Sequence, residues 1–277
     1  MSAEEIAALT GRAVASVRVI GGQHGVRHLE VLFADDRATD DKATDGRVAF
    51  AKVGAGGFAA EANGLRWLAE ADAVPVPPVL GVAENVLVIA MVPAGSPPGH
   101  ADAYRFGSDL ARLHLAGAAS FGAPWPGNIA SLPLDNTPGD SWPRWYAERR
   151  LLPFADHAPE VLAVIDRIED LAGPAEPPAR IHGDCWSGNV LWSGGRGWLI
   201  DPAAHGGHRE TDLAMLALFG APHLDAILAG YEAVAPLAPG WQARVPLHQL
   251  HPLLVHARLF GSSYRRAATA AARQLLQ

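Results

Sequence analysis

Short hydrophobic runs with the alternation of β-strands dominate the first ninety residues. Each run is bounded by glycine, proline or polar residues, so we predict strands of an antiparallel sheet. The runs are Ser16–Ile20, Leu29–Phe33, Arg47–Val53, Val79–Val82 and Val86–Val92. Gly21, Gly22 and Gly25 are predicted to form the first turn. The polar segment Ala34–Gly46 is predicted to form an exposed hairpin loop. Phe58–Glu70 carries apolar residues at helical spacing and predicts a single helix.

Beyond the linker candidate Pro93–Gly99, the hydrophobic period becomes mainly helical. A strand-like segment, Ile181–Asp201, interrupts the helices. The predicted helices are Tyr104–Leu115, Trp142–Leu152, Glu160–Leu171, Asp212–Phe219, Leu224–Val234 and Leu247–Phe260. We therefore predict an α+β fold with two parts. Residues 1–93 form an antiparallel sheet plus one helix, and residues 94–277 form a mainly helical lobe.

Composition narrows the classes of partner. Hydrophobic residues make up 49% of the chain, and the formal net charge is −7, from 22 basic and 29 acidic side chains. This charge disfavours nucleic acid or an anionic membrane as the main partner. The single cysteine excludes an internal disulfide, and neither a signal peptide nor a membrane-spanning run is seen. We expect a cytoplasmic protein that is a monomer or weak dimer.

The segment Ile181–Asp201 predicts a hairpin that carries chemistry. Val190–Trp192 and Trp198–Ile200 are β-prone, and the glycine-rich stretch between them predicts a five-residue loop. If Trp192 pairs with Trp198 across the hairpin, Asn189 lies opposite Asp201. Opposed residues are about 5 Å apart at Cα. An amide oxygen beside a carboxylate suits magnesium, so we predict a metal site there.

Asp184 precedes Asn189 by five residues. Catalytic loops of the protein-kinase type show the same offset, followed by a hairpin that ends in a metal-binding aspartate. The first aspartate of such a loop accepts the proton of the acceptor hydroxyl. An ordinary turn with scattered polar residues is the alternative, but the combined spacing favours a catalytic base at Asp184. Asp212, at a helix start, is predicted to brace this loop, and His182 to support it through backbone hydrogen bonds.

Lys52 shares a strand face with Val48 and Phe50, and Glu61 points along the apolar stripe of the following helix. Opposite charges on two apolar faces predict an internal ion pair, which in kinases orients the lysine toward nucleotide phosphates. A lysine reaching past its strand to solvent and a glutamate at the rim are the alternative.

Nearly the whole chain resembles the fructosamine kinase (ketosamine-3-kinase) family, within the group of aminoglycoside phosphotransferases and choline kinases that has a protein-kinase-like fold. Most of the resemblance comes from four motifs. They are HGDCWSGNVLW (His182–Trp192), IDPA (Ile200–Ala203), GHRETDLAM (Gly207–Met215) and HPLLVHARLFGSSY (His251–Tyr264). The resemblance implies ATP-dependent phosphorylation of the 3-hydroxyl of small or protein-bound ketosamines, which are adducts of sugars with amines. The 3-phosphate sheds its sugar, so deglycation is implied.

The resemblance also implies roles for individual residues. Asp184 would be the base, with Asn189 and Asp201 holding Mg²⁺. ATP would bind in the N-terminal lobe through Lys52, Glu61 and Gly22, and at the hinge through Met91 and Val92. The C-terminal lobe would be catalytic and bind the substrate.

Three further side chains follow the predicted base. Trp186 is either a wall of the sugar pocket or a core residue, and we favour the pocket. His205 and His208 are expected to line the substrate pocket rather than bind zinc, because no Cys or His cluster in the sequence completes a zinc site.

Two other functions stay open at this point. The chain could be a kinase for a different hydroxyl, on an aminoglycoside or an amino alcohol. It could also be a nucleotide-binding pseudokinase that acts as a scaffold, although the intact lysine, glutamate, aspartate and asparagine argue against that.

Overall fold

Five antiparallel strands form the N-terminal sheet of the computed structural model, which describes residues 1–23, 25–34 and 46–277. Their spatial order is β1-β2-β3-β5-β4. They are β1 (Val14–Gln23), β2 (Val26–Phe33), β3 (Val48–Val53), β4 (Val79–Ala83) and β5 (Val86–Ala90). All five predicted strands are therefore present. The predicted first turn is displaced, because Gly21 and Gly22 pair with β2 and so belong to β1. His24 and residues 35–45 lie outside the described residues. Residues 35–45 make up most of the predicted polar loop Ala34–Gly46.

Two helices pack on the sheet. Helix α2 (Phe58–Ala69) matches the predicted helix and buries Phe58 and Leu65. Helix α1 (Ala3–Thr10) was not predicted, because eight residues with one fully buried side chain, Ile6, give little periodicity. The one feature of the sequence that marks the start of α1 is a capping box, in which the side chains of Ser2 and Glu5 accept each other's backbone N–H groups.

Helices dominate the remainder of the described chain. They are α3 (His100–Leu115), α4 (Trp142–Tyr146), α5 (Pro159–Asp166), α6 (Ile168–Leu171), α7 (Glu210–Leu218), α8 (Leu224–Glu232), α9 (Trp241–Phe260) and α10 (Ser262–Leu275). A π-helical turn, Ala147–Leu151, continues α4. The described helices include none that is both long enough and apolar enough to cross a bilayer. The predicted α+β fold class is confirmed, whereas α10 was not predicted because it is polar over most of its surface.

Short strand pairs complete the helical part. They are β6 (Gly127–Ile129) with β7 (Leu132–Leu134), β8 (Ala179–Ile181) with β11 (His205–Gly207), and β9 (Val190–Ser193) with β10 (Arg196–Leu199). One continuous core joins α2 and β5 of the N-terminal part to α3, α8, β9 and β10. The predicted division at residues 93 and 94 falls between β5 and α3 and stays a prediction.

The register of the β9–β10 hairpin differs from the predicted one by one residue. Ser193 pairs with Arg196, which leaves a loop of only Gly194 and Gly195. Both glycines have positive φ, +59° and +70°, as a two-residue type I′ turn requires. A type I′ turn matches the right-handed twist of the two strands, so the chain forms it rather than the predicted five-residue loop. The predicted opposition of Asn189 and Asp201 is therefore wrong.

Tyr146 takes part in the hydrogen bonding of α9 beside a proline. Pro252 has no N–H to donate to the preceding turn. The Tyr146 hydroxyl donates to the carbonyl of Leu247 at 2.9 Å and accepts from the N–H of His251 at 3.2 Å. A buried side chain of α4 is thus hydrogen-bonded to the backbone of α9.

Helices α3 and α8 pack through reciprocal glycines. A Cβ on Gly107 would lie 1.9 Å from the carbonyl oxygen of Ile227, and one on Gly230 would lie 1.9 Å from that of Tyr104. Both obstacles are backbone atoms, so the helices can approach this closely only without side chains at the two positions.

Gly107→Ala should lower the free energy of unfolding by about 1–3 kcal/mol, because the methyl group must separate two packed helices. Urea unfolding would measure this loss. Gly21→Ala is the matched control, since a Cβ there meets no atom within 4 Å. Equal effects of the two substitutions would contradict the packing argument.

Candidate active site

Lys52 joins three separate segments of the chain. Its Nζ lies 2.9 and 3.0 Å from the carboxylate oxygens of Glu61, and 2.7 Å from Oδ1 of Asp201. The predicted internal ion pair with Glu61 is thus present. The contact with Asp201 was not predicted, because 149 residues separate the two positions and no local pattern connects them.

Burial and charge act in opposite directions on this cluster. Burial lowers the pKa of Lys52, but Glu61 and Asp201 more than offset it, and the net pKa is raised. Burial raises the pKa of Glu61, the charge of Asp201 adds to that, and Lys52 opposes both. One cation is shared by two carboxylates, so negative charge is left in excess around Lys52.

Asp184 lies in the catalytic loop, residues 182–189 between β8 and β9, next to Asn189. The amide nitrogen of Asn189 donates to the backbone carbonyl of Asp184 and to its Oδ2, both at 2.9 Å. Burial raises the pKa of Asp184 to about 7; the Asn189 hydrogen bond lowers it, and the charges of Asp201 and Asp212 raise it further. The Asp184 carboxyl group is therefore fixed in orientation and able to exchange a proton near neutral pH.

Asp212 holds the backbone of this loop from the first turn of α7. Its carboxylate accepts the N–H of His182 at 2.7 Å and of Gly183 at 2.9 Å, and also contacts Nε2 of His114 at 3.2 Å. Burial raises its pKa, but the His114 and His182 interactions outweigh burial and leave the pKa lowered. The predicted bracing by Asp212 is confirmed, whereas the part of His114 was not predicted.

His182 supports the loop from inside, as predicted. Its Nε2 donates to the carbonyl of Ile200 at 2.9 Å, and its Nδ1 accepts the N–H of Asp184 at 3.3 Å. This arrangement requires the neutral ring, and burial lowers the His182 pKa accordingly. The imidazole thereby connects the loop before Asp184 to the strand that leads into Asp201.

The donor set near Asp184 fits a hard divalent cation. Asn189 donates through its nitrogen, and in the described part of the chain no group donates to its amide oxygen. Asp201 keeps one carboxylate oxygen free of Lys52, and its side chain is 40% exposed. Both are oxygen ligands of the kind Mg²⁺ takes, and a divalent cation would offset the excess negative charge.

Besides Lys52 and Glu61, the residues predicted to contact nucleotide are Gly22, Met91 and Val92. Gly22 pairs with Arg27 on β2, and a Cβ there would lie 2.6 Å from the carbonyl oxygen of Val26, so the strands approach closely. Met91 directly follows β5, and its N–H donates to the carbonyl of Val48 at 3.1 Å. Binding of nucleotide by Gly22, Met91 and Val92 stays a prediction.

Trp186 and Cys185 follow the base in opposite environments. The Trp186 side chain is 37% exposed and contacts the ring of Phe219, so it is not a core residue. Cys185 is fully buried, and burial raises the pKa of its thiol. A surface position favours the expected pocket role of Trp186, which stays a prediction.

His205 and His208 are buried and line a small pocket together with Gly183. The His205 ring packs against Trp145, and its Nδ1 donates to the carbonyl of Ala203 at 2.8 Å. Contact of either histidine with substrate stays a prediction, and their burial gives it no support.

A buried trio, His208, Glu210 and His248, places its potential ligand atoms within 4.8 Å of one another. Arg244 occupies both carboxylate oxygens of Glu210, at 2.9 and 2.5 Å. A permanent cation already neutralises this carboxylate, so the trio is a structural network rather than a metal site.

The chain is similar to known proteins over most of its length. The sequence profile named "Fructosamine kinase" matches residues 49–277. A protein from Synechocystis sp. named as a probable ketoamine kinase is 36% identical over 234 residues, which are 79% of each chain.

Solved structures extend the likeness to the fold. A candidate fructosamine-3-kinase from Thermobifida fusca is 48% identical, with a TM-score of 0.90 over 99% of this chain and 98% of that one. An aminoglycoside phosphotransferase in complex with ADP and hygromycin B has a TM-score of 0.61 over 98% of both chains. At 15% identity, the second likeness concerns the fold alone.

Asp212→Asn should lower the free energy of unfolding by about 2–4 kcal/mol at pH 7, because an amide cannot accept both loop N–H groups. The folded-state pKa of Asp212 lies below its ordinary 3.8. Its stabilisation is therefore complete above that value and is lost as the pH falls through the folded-state pKa.

Urea unfolding of both proteins between about pH 7 and pH 3 would show the difference shrinking at the acid end. Asp225→Asn is the control, since the Asp225 side chain is 83% exposed. A difference that grows on acidification would contradict the assignment.

Proposed function

This chain belongs to the fructosamine kinase family, and we propose that it transfers the γ-phosphoryl group of ATP to the 3-hydroxyl of a ketosamine. The chain is a phosphotransferase that acts on a hydroxyl group. The fructosamine or ribulosamine class of acceptor, the use of Mg²⁺ and the roles of individual residues belong to the proposal.

The surroundings of Asp184 carry the assignment of the base. Asp184 is held by Asn189 at 2.9 Å, its pKa is raised to about 7, and its loop is fixed by Asp212. A general base works best when its pKa is near the operating pH. In the proposed reaction the sugar oxygen attacks the γ-phosphorus, the bond to ADP breaks, and the hydroxyl proton passes to Asp184.

Lys52 is proposed to hold the nucleotide phosphates. Glu61 fixes its ammonium group beside Asp201. Asn189 and Asp201 would hold Mg²⁺, which when bound neutralises charge on the transferred phosphoryl group. Residues 1–93 would then bind ATP, and residues 94–277 would supply the base and the acceptor site.

The reaction needs no covalent intermediate on the protein. Positioning of the hydroxyl and electrostatic stabilisation of the phosphoryl group supply most of the rate in such transfers. The hydrogen bonds of Asp212 and His182 to the loop backbone support this, because they hold Asp184 before substrate arrives.

Asp184→Asn should lower kcat by roughly 10²–10⁴-fold, because the amide cannot take the proton. Binding of ATP with Mg²⁺, measured as a shift in Tm, should survive. Asp225→Asn is a matched control at an exposed site. Turnover unchanged in the Asp184 variant would refute the base assignment.

The wild-type protein should consume ATP with fructosyl or ribulosyl adducts of amines and add one phosphate to them. Coupled ATP assays and mass spectrometry of the products would measure both. Phosphorylation of an aminoglycoside, but of no ketosamine, would replace the proposed substrate class. A Tm shift with ATP and Mg²⁺ but no turnover on any acceptor would indicate a pseudokinase.

A further inference from the structure

Arg180 connects the helix that carries Glu61 to the strand that leads into the catalytic loop. It lies in β8, four residues before Asp184, and its side chain is 13% exposed. Its Nη1 donates to the carbonyl of Trp67 in the last turn of α2, and its Nε donates to the carbonyl of Gly117, just beyond α3, at 3.3 Å. One side chain thus holds the ends of two helices against one strand.

The C-terminal end of α2 depends on this donor. The last four carbonyls of a helix have no partner within the helix. In α2 the carbonyls of Arg66, Leu68 and Ala69 accept N–H groups of the turn that follows. The carbonyl of Trp67 accepts from Arg180 instead. The guanidinium group also lies 4.5 Å from the centroid of the Trp67 ring, so a hydrogen bond and a cation–π contact act on the same residue.

The ion pair of Arg180 is weaker than these contacts. Its carboxylate partner is Glu70, at 3.4 Å from Nη1, and the Glu70 side chain is 65% exposed. An exposed ion pair at this distance contributes little to stability. The main interactions of Arg180 are therefore those that join β8 to α2 and α3.

Helix α2 also contacts the segment that follows Asp201. A Cβ on Gly64 would lie 3.2 Å from the Cβ of Ala204. Gly64 is three residues after Glu61, so both lie on the same side of α2. The side of α2 that presents Glu61 to Lys52 therefore packs beside Asp201. A rotation or shift of α2 on this contact would separate Glu61 from Lys52, and Arg180 opposes such a movement at the C-terminal end of the helix.

We propose that Arg180 is a positioning residue, which keeps α2 and the catalytic loop in a fixed relation. The Lys52–Glu61 pair and the Asp184 carboxyl group then face the same transferred phosphoryl group. Trp67 is six residues from Glu61, which is less than two turns of α2. A change at Arg180 therefore acts on both groups without contact with a substrate. The proposal rests on the proposed function, which assigns Lys52 to the nucleotide phosphates.

Arg180→Met keeps an unbranched apolar stem and loses the donors and the charge. It should raise KM for ATP about three- to tenfold and change KM for a ribulosyl-lysine acceptor by less than about twofold. The reason is that a released α2 lets Glu61 move away from Lys52. Arg180→Lys should recover part of the loss, because an ammonium group can donate to one of the two carbonyls but not to both in the same geometry. Steady-state kinetics would measure both KM values, and Arg180→Lys serves for the comparison if Arg180→Met does not fold.

Glu61→Gln separates positioning from a general loss of stability. It removes the charge that α2 positions, so adding Arg180→Met to it should lower kcat/KM for ATP by less than about twofold further. Equal losses in the two backgrounds would overturn the proposal, since Arg180 would then act only on the stability of the fold. Arg66→Met is the matched control, because Arg66 is an exposed cation in the same turn of α2 and its loss should leave both KM values unchanged.

Hydrogen exchange of α2 gives a readout that does not depend on turnover. The amides of residues 62–69 should exchange faster in Arg180→Met than in the wild type, whereas those of α10 should not change. Unchanged exchange in α2 would overturn the proposal even if turnover falls. If the wild-type protein consumes no ATP with any acceptor, the proposed function fails, and the exchange of α2 still shows whether Arg180 holds this helix.

Discussion

The need to neutralise a buried ammonium group organises the centre of this molecule. Lys52 lies on a strand of the sheet, Glu61 on the helix that covers it, and Asp201 beyond a hairpin in the helical part. An unpaired charge at this depth would cost several kcal/mol, so the three segments are stable only in one relative arrangement. The same arrangement leaves negative charge in excess, which a divalent cation would offset. The contacts that stabilise the fold are therefore also those that would attract such a cation.

Asp212 and Asp184 show how the surroundings of a carboxylate decide whether it stays ionised or exchanges a proton. Asp212 accepts two backbone N–H groups and a histidine, so its ionised form is favoured despite complete burial. Burial disfavours the ionised form of Asp184, and its one amide partner does not offset burial and the two neighbouring carboxylates. The first remains a fixed anion that shapes the loop, and the second can gain or lose a proton. Their difference comes from the number of donors that each receives.

Local patterns in the sequence predicted most of the fold and part of the site, and the failures have physical causes. The ion pair of Lys52 with Glu61 was predictable because both residues interrupt apolar faces of neighbouring elements. The hairpin register was not, because two glycines permit a tighter turn than spacing alone suggests. The contact between Lys52 and Asp201 depends on tertiary packing over 149 residues, which no periodicity encodes. Short α1 buries one side chain, Ile6, and α10 buries only the small side chains of Ala268 and Ala272, so each gives a weak apolar pattern in the sequence.

The insertion of Tyr146 into α9 has a consequence for how this sequence can diverge. The tyrosine hydroxyl lies between the carbonyl of Leu247 and the N–H of His251, and 3.5 Å from the carbonyl of His248, which the proline leaves without its usual donor. Restoring an N–H at position 252 would compete with the hydroxyl for the carbonyl of His248, and replacing Tyr146 alone would leave buried backbone groups without partners. The two positions should therefore covary among relatives of this chain. Lineages would carry the proline with the tyrosine or neither of them, since the intermediates are less stable than both end states.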